Sequence, residues 1–169
     1  MNIESLNDLF ALELRYAYDC EQKLVKKGLP SMIKASSSPE LKRALEQHLE
    51  ETKTHATRLE QVFSLVGVKP DTEGNDILDE MTSAADDLAG DIDAANIRDA
   101  GLIVSGNQVE HYEMALYGSL VAFAQQLGLN QAVTLLQQTL NEEKAADAKL
   151  TQIAETSVNP RAVQERRAA

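Results

Sequence analysis

Carboxylates and imidazoles recur at helical spacing in four separate stretches of this chain. Glu21 stands in the first. His48, Glu51 and His55 follow in the second, Glu110 and Glu113 in the third, and Glu143 and Asp147 in the fourth. These residue types together suit iron, manganese or zinc. Dinuclear carboxylate bundles use one glutamate from each of two helices and a Glu-x-x-His pair from each of the other two. This chain departs from that pattern: it has no Glu-x-x-His, and the fourth stretch has no histidine. Six carboxylates around two divalent ions leave surplus negative charge. Some must then be protonated, paired with Lys or Arg, or stand back from the ions. Glu21, Glu51, Glu110 and Glu143, one from each stretch, are the first candidates as metal ligands. His48, His55, Glu113 and Asp147 are second-tier candidates, as ligands or as partners that orient them. The alternative is a metal-free, hydrogen-bonded polar network that fixes helix register.

The elements that must position these groups are long helices. In the fourth stretch, steps of three and four residues read Leu129, Val133, Leu136, Leu140, Glu143, Asp147, Leu150, Ala154: apolar, acidic for one turn, then apolar again. The other three stretches carry the same interruption. Glu21 falls between Ala17 and Leu24, His48 and His55 between Leu45 and Leu59 with Glu51 at the border, and Glu110 and Glu113 between Gly106 and Tyr117. A lone buried carboxylate costs several kcal/mol unless something compensates it, so a shared layer needs a cation, protons or another packing.

Helices are expected over about 4–35, 38–66, 94–127 and 130–154, with a short helix over 76–89 and a polar, frayed tail over 155–169. Gly28 and Pro30 kink the first. Ser38 is a natural N-cap with Pro39 at the first helical position, and Gly67 and Gly128 suit helix ends. Two short links make two antiparallel hairpins. The acidic connection between them could reach ~85 Å if extended, against ~45 Å for a 30-residue helix, so it can cross the whole bundle. A single all-α domain of four long helices with one long crossover is the ferritin-like arrangement. Hairpin geometry then places Glu21 opposite position 52, beside His48, Glu51 and His55, and places Glu110 and Glu113 opposite Asp147 and Glu143.

Composition narrows the function classes. A hydrophobic share of 43% over 169 residues supports one folded domain. The formal net charge of -11 argues against nucleic acid and anionic membranes as partners and favours cations. No apolar run approaches the ~18 residues of a membrane span. With no signal-like segment evident, a soluble cytoplasmic protein is the default. Cys20 is the only cysteine, which excludes an internal disulfide and reads as a buried structural thiol. Tyr16, Tyr18, Tyr112 and Tyr117 read as core residues with satisfied hydroxyls, and Tyr117, one step from Glu113, is the best placed to serve a metal. His111 lies off the stripe. No phosphate-binding glycine loop, CxxC motif or nucleophile elbow occurs, so no catalytic residue is assigned.

Several segments carry a resemblance: YDCEQKL (18–24), EQHLEETKTHATRLEQV (46–62), RDAGLIVSGNQVEHYEMALYGSL (98–120), FAQQLG (123–128) and LNEEKAADAKLT (140–151). Over nearly the whole chain these resemble the bacterial YciE/YciF family, stress-associated proteins of the ferritin-like superfamily. The resemblance implies a rubrerythrin-like bundle, a homodimer, and a central metal site; the residue cluster itself leads to the expectation of a di-metal centre of iron or manganese there. The family's acidic positions fall on Glu21, Glu51, Glu110, Glu113, Glu143 and Asp147, with His48 heading the HLEET match. Some members place a histidine where this chain has Lys53, which leaves His55 as a substitute. Three functions follow as alternatives: a metal-binding redox protein of oxidative stress, a non-enzymatic structural or interaction protein, and an iron-storage cage.

Overall fold

The computed structural model describes residues 3–168, with side chains through 165. The described residues are helical and contain no strand. In chain order the helices are α1 (Leu6–Lys23), α2 (Leu29–Ala35), α3 (Pro39–Leu65), α4 (Asp76–Asp91), α5 (Ala95–Gln126), α6 (Asn130–Ile153) and α7 (Asn159–Ala168). The chain is an all-α bundle.

Local sequence sets the breaks. Ser38 caps α3, its hydroxyl accepting from the Leu41 N–H at 3.4 Å, with Pro39 next. Gly67 and Gly128 adopt φ of 69° and 72°, the left-handed conformation that closes α3 and α5. At Pro30 the helix does not break. A wide turn over Leu24–Gly28, in which the Leu29 N–H reaches back to the Leu24 carbonyl, joins α1 to α2. Proline has no N–H to donate and its ring crowds the preceding turn; a π-bulge absorbs both. The same device recurs over Ala154–Val158 ahead of Pro160.

That second bulge corrects the expectation of a frayed tail beyond 154. The chain continues as α7, which packs on α5, and Val158 is buried. The Glu165 carboxylate accepts from the Asn96 N–H at 2.8 Å and so covers the open N-terminus of α5, where the cap residue is Ala94 and offers no side chain. Position 169 lies outside the described residues.

Helix α1 packs on α3 and α5, and α6 packs on both α3 and α5, closing a four-helix ring. Asp99, fully buried near the start of α5, accepts from the N–H groups of Ser37 (2.8 Å) and Ser38 (2.6 Å) in the α2–α3 link. The start of α5 is thereby fixed at the end of the bundle where α3 begins, so the connection from the end of α3 crosses the bundle's length. Within it α4 lies against α5 and α2. Its N-cap, Asn75, bonds the Leu78 N–H and the Tyr112 hydroxyl, while Lys23 and Lys27 pair with Asp79 and Asp86.

Two apolar clusters stack along the bundle. One contains Phe10, Leu14, Leu59, Phe63, Leu120 and Leu136; the other contains Leu24, Leu41, Leu45, Leu102, Leu150 and Ile153. The sequence positions of Glu21, His48, His55, Glu110, Glu113 and Glu143 lie between these two sets on every long helix.

Candidate metal centre

Those six side chains form a buried polar layer. Glu21, His55 and Glu143 are fully inaccessible, and His48, Glu110 and Glu113 nearly so. Two groups converge within it. His48, Glu110, Glu113 and Glu143 each offer one ligating atom, and these atoms lie within 4.8 Å of one another; Glu21, His55 and Glu143 do the same. Glu143 belongs to both. Its two oxygens face different imidazoles: Oε1 is 2.9 Å from His55 Nδ1, and Oε2 is 3.8 Å from His48 Nε2. His48 Nε2 also lies 3.2 Å from Glu110 Oε1, and His55 Nδ1 lies 3.7 Å from Glu21 Oε1.

The surroundings orient these groups. Glu142, the neighbour of Glu143, turns outward and takes a two-pronged contact from Arg58, including Nη2 to Oε1 at 2.9 Å. Arg58 holds the Glu142 carboxyl below its ordinary range, so it is ionised and accepts. Its Oε2 lies 2.8 Å from His55 Nε2. Burial keeps His55 below its ordinary pKa, hence neutral at pH 7. The network thus assigns the His55 proton to Nε2 and aims the Nδ1 lone pair at Glu143 and Glu21. Tyr117 donates a short hydrogen bond to Glu21 Oε1, and Cys20 Sγ lies 3.5 Å from Glu113 Oε1.

Burial drives the layer's carboxyl groups toward the neutral form. It raises Glu110 to about 9, despite the opposing pull of His48. It raises Glu21 and Glu143 well above the carboxylate range, reinforced by Glu113 beside both, and raises Glu113 as well. His48 ends above its usual value: burial opposes its charging, but Glu51 and Glu110 outweigh that. Burial also pushes the Cys20 thiol and the Tyr117 phenol well up, which suits neutral hydrogen-bonding roles.

Several buried atoms of the layer complete no aligned hydrogen bond: Glu21 Oε2, Glu110 Oε2, Glu113 Oε2, both Glu143 oxygens and His55 Nδ1. Buried polar atoms are nearly always satisfied, and such a concentration of unsatisfied oxygen and nitrogen acceptors is what a divalent cation would complete. The donor set, carboxylate-rich with imidazole nitrogens, fits iron or manganese.

The predicted site residues do not all meet. Glu21, Glu110 and Glu143 do, joined by Glu113, His48 and His55. Glu51 stands at the rim, its side chain one-third exposed and 3.5 Å from His48 Nδ1. Asp147 turns aside to His111 Nε2 at 3.3 Å, and His111 is itself exposed. The opposition of Glu113 and Glu143 holds, but Glu110 also meets Glu143 rather than only Asp147. Glu142 and Arg58 each lie one residue off an apolar stripe, where sequence alone reads Glu142 as part of an ordinary charged face and gives Arg58 no role. Their signal was the three-residue spacing from His55 to Arg58 and the adjacency of Glu142 to Glu143.

No described helix is long and apolar enough to cross a membrane. The family described as a domain of unknown function, DUF892, matches residues 5–163. Protein YciF of Escherichia coli K12 is 37% identical over 172 residues, covering 96% of this chain and 98% of YciF. The crystal structure of that E. coli stress protein superposes with a TM-score of 0.88, covering 93% of this chain and 99% of the other. YcfI of Rhodopseudomonas palustris superposes with a TM-score of 0.87 at 40% identity, covering 89% of this chain and 95% of that one. A Xanthomonas campestris protein shares the fold at 23% identity and a TM-score of 0.75, covering 96% of this chain and 99% of that one.

Proposed function

Since the chain belongs to the DUF892 family and is akin to a bacterial stress protein, we propose that it is a stress-associated, ferritin-like protein with a carboxylate-rich dinuclear centre for iron or manganese. One observation carries this reading: Glu143 is common to two buried ligand groups, and its two oxygens face the two histidines. A carboxylate so placed would serve both groups. His48, Glu110 and Glu113 would hold one, and Glu21 with His55 the other. Iron or manganese there would supply redox chemistry toward oxygen or peroxide. The residues' own part is to orient donors through the Arg58–Glu142–His55 chain, to hold Glu21 through Tyr117, and to keep the layer dry.

The test is elemental analysis of protein purified without chelators and loaded anaerobically with ferrous iron. About two ions per chain are expected on this reading. A content far below one per chain would exclude it.

A second reading rests on the upward shift of the layer's buried carboxyl groups, Glu110 to about 9 among them. Neutral carboxyls could form a metal-free network in a structural or interaction protein. If Glu110→Leu with Glu143→Leu raises stability and leaves self-association and stress protection intact, this second reading prevails. We place the protein in the cytoplasm as a homodimer rather than an iron-storage cage; light scattering near twice 18.5 kDa distinguishes these assemblies.

A further inference from the structure

Two openings converge on the same wall of the polar layer. One lies between α3 and α6 and carries Gln47, Glu51, Glu142 and Lys149 before it reaches His48 and Glu110. Its acidic rim suits a hydrated cation. The other reaches the same two residues from under the crossover helix α4 and has a different character. Its walls are Leu24, Met32, Leu102 and Gly106 from the bundle and Met81, Ala85 and Ala89 from α4. The π-bulge over Leu24–Gly28 contributes Leu24 and Gly28 to this lining. Gly106 lets Leu150 and Met32 pack closely along one wall: a methyl group added there would come within 2.8 Å of Leu150 Cδ1.

The size selects a ligand class. About 70 Å³ is open to the centre of a water-sized sphere. One water needs ~10–15 Å³ by that measure, so a molecule of a few heavy atoms fits and a sugar or nucleotide does not. The lining is mainly aliphatic and thioether, with His48 and Glu110 at its inner end, the hydroxyls of Ser31, Thr82 and Ser105 on its walls, and the Lys27–Asp86 ion pair closing on itself at 2.8 Å. Water inside would find few partners there, and an apolar guest would lose none. The two methionines make the walls soft enough to close on a small guest.

We infer that the α4 pocket is a binding site for a small, uncharged, apolar molecule of the size of dioxygen, which it delivers to the His48–Glu110 face of the layer by a path separate from the acidic opening. The site stands on cavity shape and lining. Its role in delivery rests on the proposed metal centre, whereas guest binding does not.

Xenon is the probe, because it matches such a guest in size and polarity and scatters anomalously. Crystals of the metal-free, full-length protein pressurised with xenon should show it against Met32, Leu102 and Gly106. Ala89→Phe and, separately, Ala85→Leu should abolish that peak and leave helicity by circular dichroism unchanged. Absence of xenon from the pocket of the native chain, or a peak that persists in both folded variants, overturns the inference. Failure of metal loading with xenon still bound would sink the dinuclear reading and leave the guest site standing. A ferrous-loaded Ala89→Phe chain should consume dioxygen at least ~5-fold more slowly, while Glu51→Gln should instead slow ferrous uptake. Equal dioxygen rates in native and filled chains would overturn the delivery role.

Discussion

Glu143 Oε1 lies 2.9 Å from His55 Nδ1, and this contact joins the two halves of the polar layer. Behind it, Arg58 ionises Glu142 and Glu142 fixes the His55 tautomer. Glu143 therefore faces a lone pair rather than a proton. Unless Glu143 is itself protonated, two acceptors confront each other in a dry core, and that confrontation is relieved either by a proton or by a cation.

Glu143→Gln separates those two solutions. The amide keeps the shape and can donate to His55 Nδ1, so the metal-free variant should be as stable as the native chain or more so, by up to ~1 kcal/mol. It cannot bridge two cations with full charge. Iron content after anaerobic loading should fall from about two ions per chain to one or fewer. Native-like loading in Glu143→Gln would remove Glu143 from the centre.

The pH dependence of the metal-free protein follows from the raised carboxyls. Glu110 titrates at about 9 when folded against 4.5 as its ordinary value, so between those pH values the native state binds more protons than the unfolded one. Stability from this group is full below about 4.5 and is lost as pH rises through about 9. Glu21, Glu113 and Glu143 shift the same way. His55, held low, acts oppositely, but only below its ordinary 6.5. The urea midpoint of the metal-free chain should therefore fall steadily from pH 6.5 to 9, by an equivalent of more than ~1 kcal/mol. A flat or rising profile would mean that the layer is wetter than its burial implies.

Cation binding must displace those protons. Uptake of ferrous or manganous ion should strengthen with rising pH, at least ~10-fold from pH 6 to pH 7.5, and should release protons. Calorimetric titration in two buffers of different ionisation enthalpy measures the release directly. Binding with no proton release would place the cations on already ionised surface carboxylates.

Much of this arrangement was legible in the residue pattern. The stripes located all four long helices, and counting outward from the two hairpin turns brought Glu21 to His55 and Glu113 to Glu143. Periodicity resolves the direction of a side chain only to about a third of a helical turn, however. Glu51 and Asp147 stood at spacings compatible with pointing inward, yet Glu51 stops at the rim and Asp147 is drawn to His111. The segment beyond 154 is polar because it covers only one side of α5. Its burial rests on Val158 and its anchoring on the Glu165 cap, and neither residue forms a stripe.

Tyr117→Phe tests the support of Glu21. The hydroxyl donates to Glu21 from a fully buried position, and among the described residues no other hydrogen bond reaches that carboxyl group. Removing it should cost about 1–2 kcal/mol in the metal-free chain by leaving a buried acceptor without its donor. The ring still fills its site among Leu120 and Leu136, so helicity should be unchanged. If the loss is much smaller in the iron-loaded chain, the cation has taken over the role of the hydroxyl. Equal losses with and without iron would place Glu21 outside the centre.

Asp99 offers a test of the frame rather than of the site. Its two oxygens accept from the Ser37 and Ser38 N–H groups, and the whole carboxylate is buried. These are the N–H groups at the mouth of α3, which no backbone carbonyl of the helix can satisfy. Asp99→Ala strands both donors in a dry corner and frees the start of α5 from the α2–α3 link. The expected cost is about 2–4 kcal/mol by urea unfolding, with Asp99→Asn recovering part of it through one remaining acceptor oxygen. Because Asp99 fixes the end at which α5 begins, amide exchange in Asp99→Ala should rise first at the N-terminal turns of α3 and α5. Protection around Glu110 and Glu143 should persist, since the side chains of the polar layer are held from both apolar clusters. Loss of protection across the whole bundle at once would mean that the crossover, rather than the layer's own packing, holds the four helices in register.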